Sequence, residues 1–125
     1  MTAPRVAVVE DNADNRLLLR ALLGDAYELV EYENGRDALD DLGRQPPRLV
    51  LLDISLPGMS GVEVLRHIRA DPRLRGLPVV ALTAHAMAGD RESYLAAGFD
   101  DYVAKPIVDE SVLLRAIERC LSRVG

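Results

Sequence analysis

The sequence LVLLD at residues 49–53 is a run of four apolar residues that ends in an aspartate. A strand with one solvated face alternates apolar and polar side chains, whereas a strand that is covered on both faces is apolar throughout. Residues 6–9 and 79–82 form two further runs of the same kind. Three such strands predict a sheet with helices packed on both of its faces.

Short apolar runs alternate with helix-period segments five times along the chain, which is typical of parallel α/β sheets. The predicted strands are residues 6–9, 28–32, 49–52, 79–82 and 101–104. The predicted helix starts are Asn12 or Asp14, Asn34, Ser60, and Asp109 or Ser111, and the predicted helix ends are Gly24, Gly43 and Gly98. We therefore expect one doubly wound α/β domain over residues 1–125, with a core at about 5–122 and its ligand crevice beyond the carboxyl ends of the strands.

Composition and charge exclude several classes of protein. With a net charge of −5 and a pI of about 5.0, the chain has no overall electrostatic attraction to nucleic acid or to anionic lipid. The first residues match neither a signal peptide nor a membrane span, so we expect a cytoplasmic protein. The single cysteine, Cys120, lies on a predicted apolar helix face, which indicates a core residue rather than a redox centre.

The first predicted helix is unusually rich in leucine. At 100° per residue, one stripe suited to the core contains Leu18, Leu19, Leu22 and Leu23. Leu17 falls outside that stripe and is predicted to be exposed. A lone exposed leucine is common on protein surfaces, so we give it no docking role.

Acidic side chains follow two of the buried strands. Residues 6–9 lead into Glu10 and Asp11, and residues 49–52 lead into Asp53. If these strands are neighbours, three carboxylates meet at one edge of the sheet, where a hard divalent cation would relieve their repulsion. Ligands that are all oxygen favour Mg²⁺. Asp11 taken alone could instead cap the following helix.

A hydroxyl and an ammonium follow the last two predicted strands, at Thr83 and Lys105. Together with the carboxylates and a cation they suit a phosphoryl group, whose oxygens can be shared among these donors. Lys105 is the only lysine among the 15 lysine and arginine residues, and its compact charge suits a tight pocket better than a guanidinium does. Pro106 next to it is a candidate for a cis peptide bond.

Four motifs give these residues a family context. VVEDN at 8–12, VLLDISLPGMSG at 50–61, ALTAHAMAGD at 81–90 and DDYVAKPI at 100–107 resemble the receiver domain of bacterial two-component response regulators, in order and spacing. The resemblance covers nearly the whole chain. It implies a five-stranded flavodoxin-like sheet in the order 2-1-3-4-5. No effector segment follows the fifth predicted helix, so we expect a single-domain receiver related to chemotaxis regulators, with no effector domain. The motif at 81–90 also resembles receivers fused within hybrid histidine kinases, so a domain excised from such a kinase is the alternative.

The resemblance also implies the chemistry at Asp53. Asp53 would be the phosphoacceptor in two-component or phosphorelay signalling, taking its phosphoryl group from a phosphohistidine. Mg²⁺ would be held by Glu10, Asp11, Asp53 and the backbone carbonyl of Ser55. The phosphodonor would be a histidine kinase or a histidine phosphotransfer protein.

The remaining implied roles concern switching and signal lifetime. Lys105 would contact the phosphoryl oxygens, Thr83 would close onto them, and Tyr102 would turn inward when Thr83 moves. Ser55 and His85 would occupy the positions that set how fast the phosphate is lost. The output surface would be the fourth helix, fifth strand and fifth helix, at residues 90–122, on a monomer or a phosphorylation-linked dimer that binds a downstream protein.

Three alternatives compete with this interpretation. Phosphatases and phosphotransferases with an aspartate nucleophile use a similar fold, but usually carry a second aspartate where this chain has Ser55. A nucleotide or flavin module would need a glycine-rich loop where residues 10–13 are EDNA. A degenerate scaffold would not need the intact acidic cluster. We therefore expect a protein that catalyses only its own phosphorylation and dephosphorylation.

Overall fold

A computed structural model of the protein describes residues 3–84 and 90–124. Within these residues, five strands alternate with five helices. The strands are β1 (Arg5–Val9), β2 (Glu28–Tyr32), β3 (Leu49–Asp53), β4 (Val79–Thr83) and β5 (Asp101–Ala104). The helices are α1 (Ala13–Leu23), α2 (Gly35–Leu42), α3 (Gly61–Ala70), α4 (Asp90–Ala97) and α5 (Glu110–Val124).

The strands form one parallel sheet in the order β2-β1-β3-β4-β5, which confirms the predicted topology. Two strands run one residue further than predicted, because Asp53 pairs with Leu82 and Thr83 pairs with Ala104. Both polar residues are therefore the last residues of buried strands. Their backbones are fixed by the sheet, which limits where their side chains can lie.

Apolar side chains cover both faces of the sheet, as the uninterrupted runs predicted. On one face, α2 and α3 pack Leu42, Val64 and Ile68 against the sheet. On the other face, α1 and α5 pack Leu23 and Ile117 together with Cys120, which is a buried core residue as expected. None of the helices within the described ranges has the length and apolarity to cross a membrane.

The predicted helix caps are largely confirmed. Side-chain oxygens of Asn12, Asn34 and Ser60 accept the capping hydrogen bonds of α1, α2 and α3. Of the two candidates before α5, Asp109 precedes the helix and its carboxylate accepts the Ser111 N–H at 3.0 Å. Of the predicted glycine ends, Gly98 has a φ of +115°, whereas Gly24 and Gly43 keep right-handed backbone angles.

The leucine stripe of α1 is only partly buried. Leu19 and Leu23 are in the core and Leu17 is 59% exposed, as predicted. The assignment of Leu18 to the core was wrong, because this side chain is 38% exposed. α1 rests on the sheet through Leu19 and Leu23, which turns Leu18 toward the connection after β5, where it lines a small cavity with Pro106.

Candidate functional site

The ends of β1 and β3 bring three acidic residues together. Glu10 directly follows β1, and Asp53 is the last residue of the neighbouring strand β3. Glu10, Asp11 and Asp53 each offer a carboxylate oxygen, and these oxygens all lie within 4.8 Å of one another. Glu10 is fully buried and Asp53 is 3% exposed, whereas Asp11 faces solvent.

Glu10 occupies an electrostatically unfavourable position that its neighbours partly relieve. Burial raises the pKa of its carboxyl, and the adjacent Asp53 raises it further. The Asn12 backbone N–H and the Lys105 ammonium donate to it and act in the opposite direction. The Asn15 side-chain amide donates a further hydrogen bond at 3.3 Å. The carboxylate is thus held in place by three donors from different parts of the chain.

Lys105 lies between the two buried carboxylates. Its Nζ is 3.1 Å from Glu10 Oε1 and 3.1 Å from Asp53 Oδ1. Burial alone would lower the pKa of this ammonium, but hydrogen bonds to the two carboxylates outweigh burial, and the pKa lies above its ordinary value. The peptide bond to Pro106 is cis, as the sequence allowed. The only lysine of the chain therefore stands charged at the centre of the acidic cluster.

In addition to the contact with Lys105, Asp53 accepts a hydrogen bond from the loop after β3. The Ser55 backbone N–H donates to Asp53 Oδ1 at 3.0 Å, and this oxygen is the one that faces Lys105. Ser55 itself is exposed, and its carbonyl role remains a prediction. Two donors converge on one oxygen of Asp53, which fixes the orientation of the carboxylate.

The donor set fits a magnesium ion. Its members are three carboxylates on loop or strand-end positions, and hard oxygen ligands are those that Mg²⁺ prefers. Against them the cluster holds a single ammonium, that of Lys105, so negative charge remains in excess. A divalent cation would neutralise that excess.

Thr83 lies at the end of β4 with its side chain 1% exposed. Its backbone carbonyl accepts the Lys105 N–H at 2.8 Å, which places the two predicted phosphoryl contacts on neighbouring strand ends. The Thr83 hydroxyl lies 2.8 Å from the hydroxyl of Tyr94 on α4. Tyr102, half-buried on β5, packs against the Tyr94 ring with centroids 6.0 Å apart. His85, predicted to influence phosphate lifetime, lies outside the described residues.

Arg16 supports the acidic loop, and sequence reasoning missed it. Its guanidinium donates to the carbonyl of Glu10 at 2.8 Å and to that of Asp11 at 3.1 Å. The same guanidinium also forms ion pairs, with Nε 3.6 Å from Glu31 Oε1 and Nη2 3.3 Å from Glu33 Oε1. The available signal was an arginine in the second turn of a helix that begins beside an acidic loop.

Comparison with known proteins gives a consistent result. Residues 6–118 match the model of the response regulator receiver domain. The chain is 44% identical over 103 residues to the polar-differentiation response regulator DivK of Brucella anthropi, covering 82% of this chain and 84% of DivK. It is 43% identical over 114 residues to the sensor protein GacS of Pseudomonas syringae pv. syringae, covering 88% of this chain but only 13% of the length of GacS.

A solved structure agrees with the sequence comparisons. The receiver domain of sensor histidine kinase PA1611 from Pseudomonas aeruginosa PAO1, with a magnesium ion coordinated in its active-site cleft, is 35% identical. It superimposes with a TM-score of 0.87 and covers 97% of this chain and 99% of that domain. This chain therefore belongs to the response regulator receiver domain family of two-component signal transduction, as shown by the family match over most of the chain, the similarity to DivK and the shared fold.

Proposed function

We propose that Asp53 is the phosphoacceptor of this receiver domain. The observation that carries the proposal is the position of the Lys105 ammonium, 3.1 Å from the buried Asp53 carboxylate and equally close to Glu10. A carboxylate that is held by fixed donors can attack a phosphoryl group in a defined direction. One Asp53 oxygen forms a bond to phosphorus while the bond from phosphorus to the imidazole nitrogen of the donor breaks.

Charge neutralisation is the main requirement of this transfer. The transition state spreads negative charge over the phosphoryl oxygens, and positioned cationic groups stabilise it. Lys105 supplies one positive charge. Glu10, Asp11 and Asp53, with the backbone carbonyl of Ser55, would hold Mg²⁺, which supplies further positive charge when it is bound. The magnesium in the Pseudomonas aeruginosa receiver domain supports this assignment.

Thr83 and Tyr102 form the proposed switch. The phosphoryl group on Asp53 brings acceptor oxygens that recruit the Thr83 hydroxyl, and Tyr102 turns inward when Thr83 moves. Ser55 and His85 would set how long the phosphate persists. The change would be read out on the surface formed by residues 90–122.

The proposed partners follow from this role. A histidine kinase or a histidine phosphotransfer protein donates the phosphoryl group in the cytoplasm, and similarity to the receiver domain of sensor histidine kinase PA1611 supports a kinase as donor. A downstream protein binds the surface at residues 90–122. The domain acts as a monomer or as a dimer that forms on phosphorylation, and it does not bind nucleic acid or membranes directly.

Incubation with acetyl phosphate separates this function from that of a phosphatase with an external substrate. With Mg²⁺ we expect one phosphoryl group per chain, bound to Asp53, and slow release of inorganic phosphate. A general acid for a leaving group is not needed by a receiver, and Ser55 occupies the position where phosphatases of this kind carry one. Protein-dependent phosphate release, measured after subtraction of the spontaneous hydrolysis of acetyl phosphate, should be negligible without Mg²⁺. Rapid turnover of several small phosphate esters would favour the phosphatase.

A further inference from the structure

Among the described residues of helix α4, Tyr94 is the side chain that packs on the hydrophobic core. All eight residues of Asp90–Ala97 are described, and none of them is buried. Tyr94 is the half-buried residue that packs on the core, with its ring edge-on to the buried Phe99 at a centroid distance of 6.1 Å. It also meets Tyr102 at 6.0 Å. A change in the contacts of Tyr94 is therefore expected to change the position of α4.

The hydroxyl of Tyr94 ties this helix to the end of β4. It lies 2.8 Å from Thr83 Oγ1, a full hydrogen bond between two side chains that are largely removed from solvent. The Thr83 backbone is fixed by the sheet and by the Lys105 N–H. Movement of the Thr83 hydroxyl must therefore come from rotation of its side chain.

Such a rotation would break the hydrogen bond to Tyr94. Threonine side chains occupy staggered rotamers about 120° apart, and a change of rotamer moves Oγ1 by roughly 2 Å. A hydroxyl pair that begins at 2.8 Å would then lie beyond hydrogen-bond distance. Recruitment of Thr83 by a phosphoryl group on Asp53 and retention of its bond to Tyr94 would exclude each other.

We propose that Tyr94 is a positioning residue that holds the Thr83 hydroxyl toward α4 and releases it when Asp53 carries a phosphoryl group. This inference rests on the proposed phosphoacceptor role of Asp53. Release of Thr83 removes one of the anchors of α4, so the signal reaches the helix through Tyr94 directly, in addition to the predicted movement of Tyr102. The hydrogen bond opposes switching and sets how tightly the phosphoryl group is held.

The test measures binding of beryllium fluoride, a stable phosphoryl mimic, in the presence of Mg²⁺ by isothermal titration calorimetry. Tyr94→Phe keeps the ring against Phe99 and Tyr102 and removes only the competing hydroxyl. Because a net hydrogen bond between neutral groups is modest, we expect binding to tighten by about 2- to 10-fold. Tyr27→Phe, at the opposite end of the sheet, is the control and should leave binding unchanged. Unchanged or weaker binding by Tyr94→Phe would overturn the proposal.

A double-mutant cycle with Thr83→Ala separates positioning from a general effect on α4. If Tyr94 acts through the Thr83 hydroxyl, Tyr94→Phe should alter binding by less than about twofold when Thr83 is already alanine. An equal gain in both backgrounds would contradict the proposal. If the native chain bound no beryllium fluoride, the phosphoacceptor role of Asp53 would be contradicted, and the positioning role of Tyr94, which depends on it, would be contradicted as well. Native binding without a Tyr94→Phe effect would defeat the Tyr94 proposal alone.

Discussion

Lys105→Met is expected to slow phosphorylation of the chain by acetyl phosphate about 100- to 1,000-fold, the loss that follows removal of one positioned group that stabilises transition-state charge. Methionine preserves the length and apolar stem of the side chain, so the change removes mainly the ammonium. That ammonium lies 3.1 Å from Asp53, where charge develops on the incoming phosphoryl group. The rate of adduct formation, followed by mass spectrometry at saturating Mg²⁺, measures the effect.

The same substitution also tests the electrostatics of the site without a phosphodonor. Glu10 and Asp53 would keep their buried carboxylates but lose the ammonium that bridges them. We expect the free energy of unfolding to fall by about 1–3 kcal/mol, as for other buried polar groups that lose a partner. Lys105→Arg retains the charge in a wider, planar group, and its phosphorylation rate should fall between the native and methionine values. Native-like phosphorylation of Lys105→Met would contradict the role given to this residue.

Gly61→Ala is expected to destabilise the fold by about 1–3 kcal/mol, although alanine is normally the better helix former. A Cβ at Gly61 would lie 2.4 Å from the Asp53 carbonyl oxygen and 2.8 Å from the Ile54 Cα. Both neighbours are backbone atoms at the end of β3, and the Gly61 N–H already donates to the Ile54 carbonyl at 3.0 Å. The loop after Asp53 can close onto α3 only because position 61 lacks a side chain.

Gly76→Ala is the matched control, because a Cβ there meets nothing within 4 Å. Its stability should be unchanged or raised by up to about 1 kcal/mol. Urea unfolding followed by circular dichroism gives the midpoint and slope for both variants. Since the obstructed atoms belong to Asp53 and Ile54, we also expect slower phosphorylation for Gly61→Ala but not for Gly76→Ala. Equal stability of the two variants would show that the close approach at Gly61 is not a constraint.

Much of the fold was predictable because its signals are local. Uninterrupted apolar runs such as residues 49–52 indicate strands that are buried on both faces, and the polar residue after each run marks the edge where a site can form. Asp53 and Thr83 were located this way, with an error of one residue in the strand ends. The family resemblance supplied the strand order that makes Glu10 a neighbour of Asp53.

Features that depend on side-chain contacts between distant segments were not predictable. The hydrogen bond between Thr83 and Tyr94 joins a strand end to a helix whose weak amphipathic pattern does not reveal which side chain faces the sheet. Helical periodicity placed Leu18 in the core because it groups side chains on one face of α1. It does not show how much of that face the neighbouring strands and helices cover. Gly61 directly follows the predicted helix start at Ser60. Only the close approach of the Asp53 and Ile54 backbone shows why a side chain is excluded at position 61.

Intact-mass analysis after incubation with acetyl phosphate tests most directly whether Asp53 accepts a phosphoryl group with the help of Mg²⁺. The native chain and Asp53→Asn are compared, each with Mg²⁺ and with a chelator. We predict one phosphoryl adduct per native chain, dependent on Mg²⁺ and lost on treatment with hydroxylamine, and no adduct on Asp53→Asn. A Mg²⁺-dependent adduct of equal yield on Asp53→Asn would contradict the account.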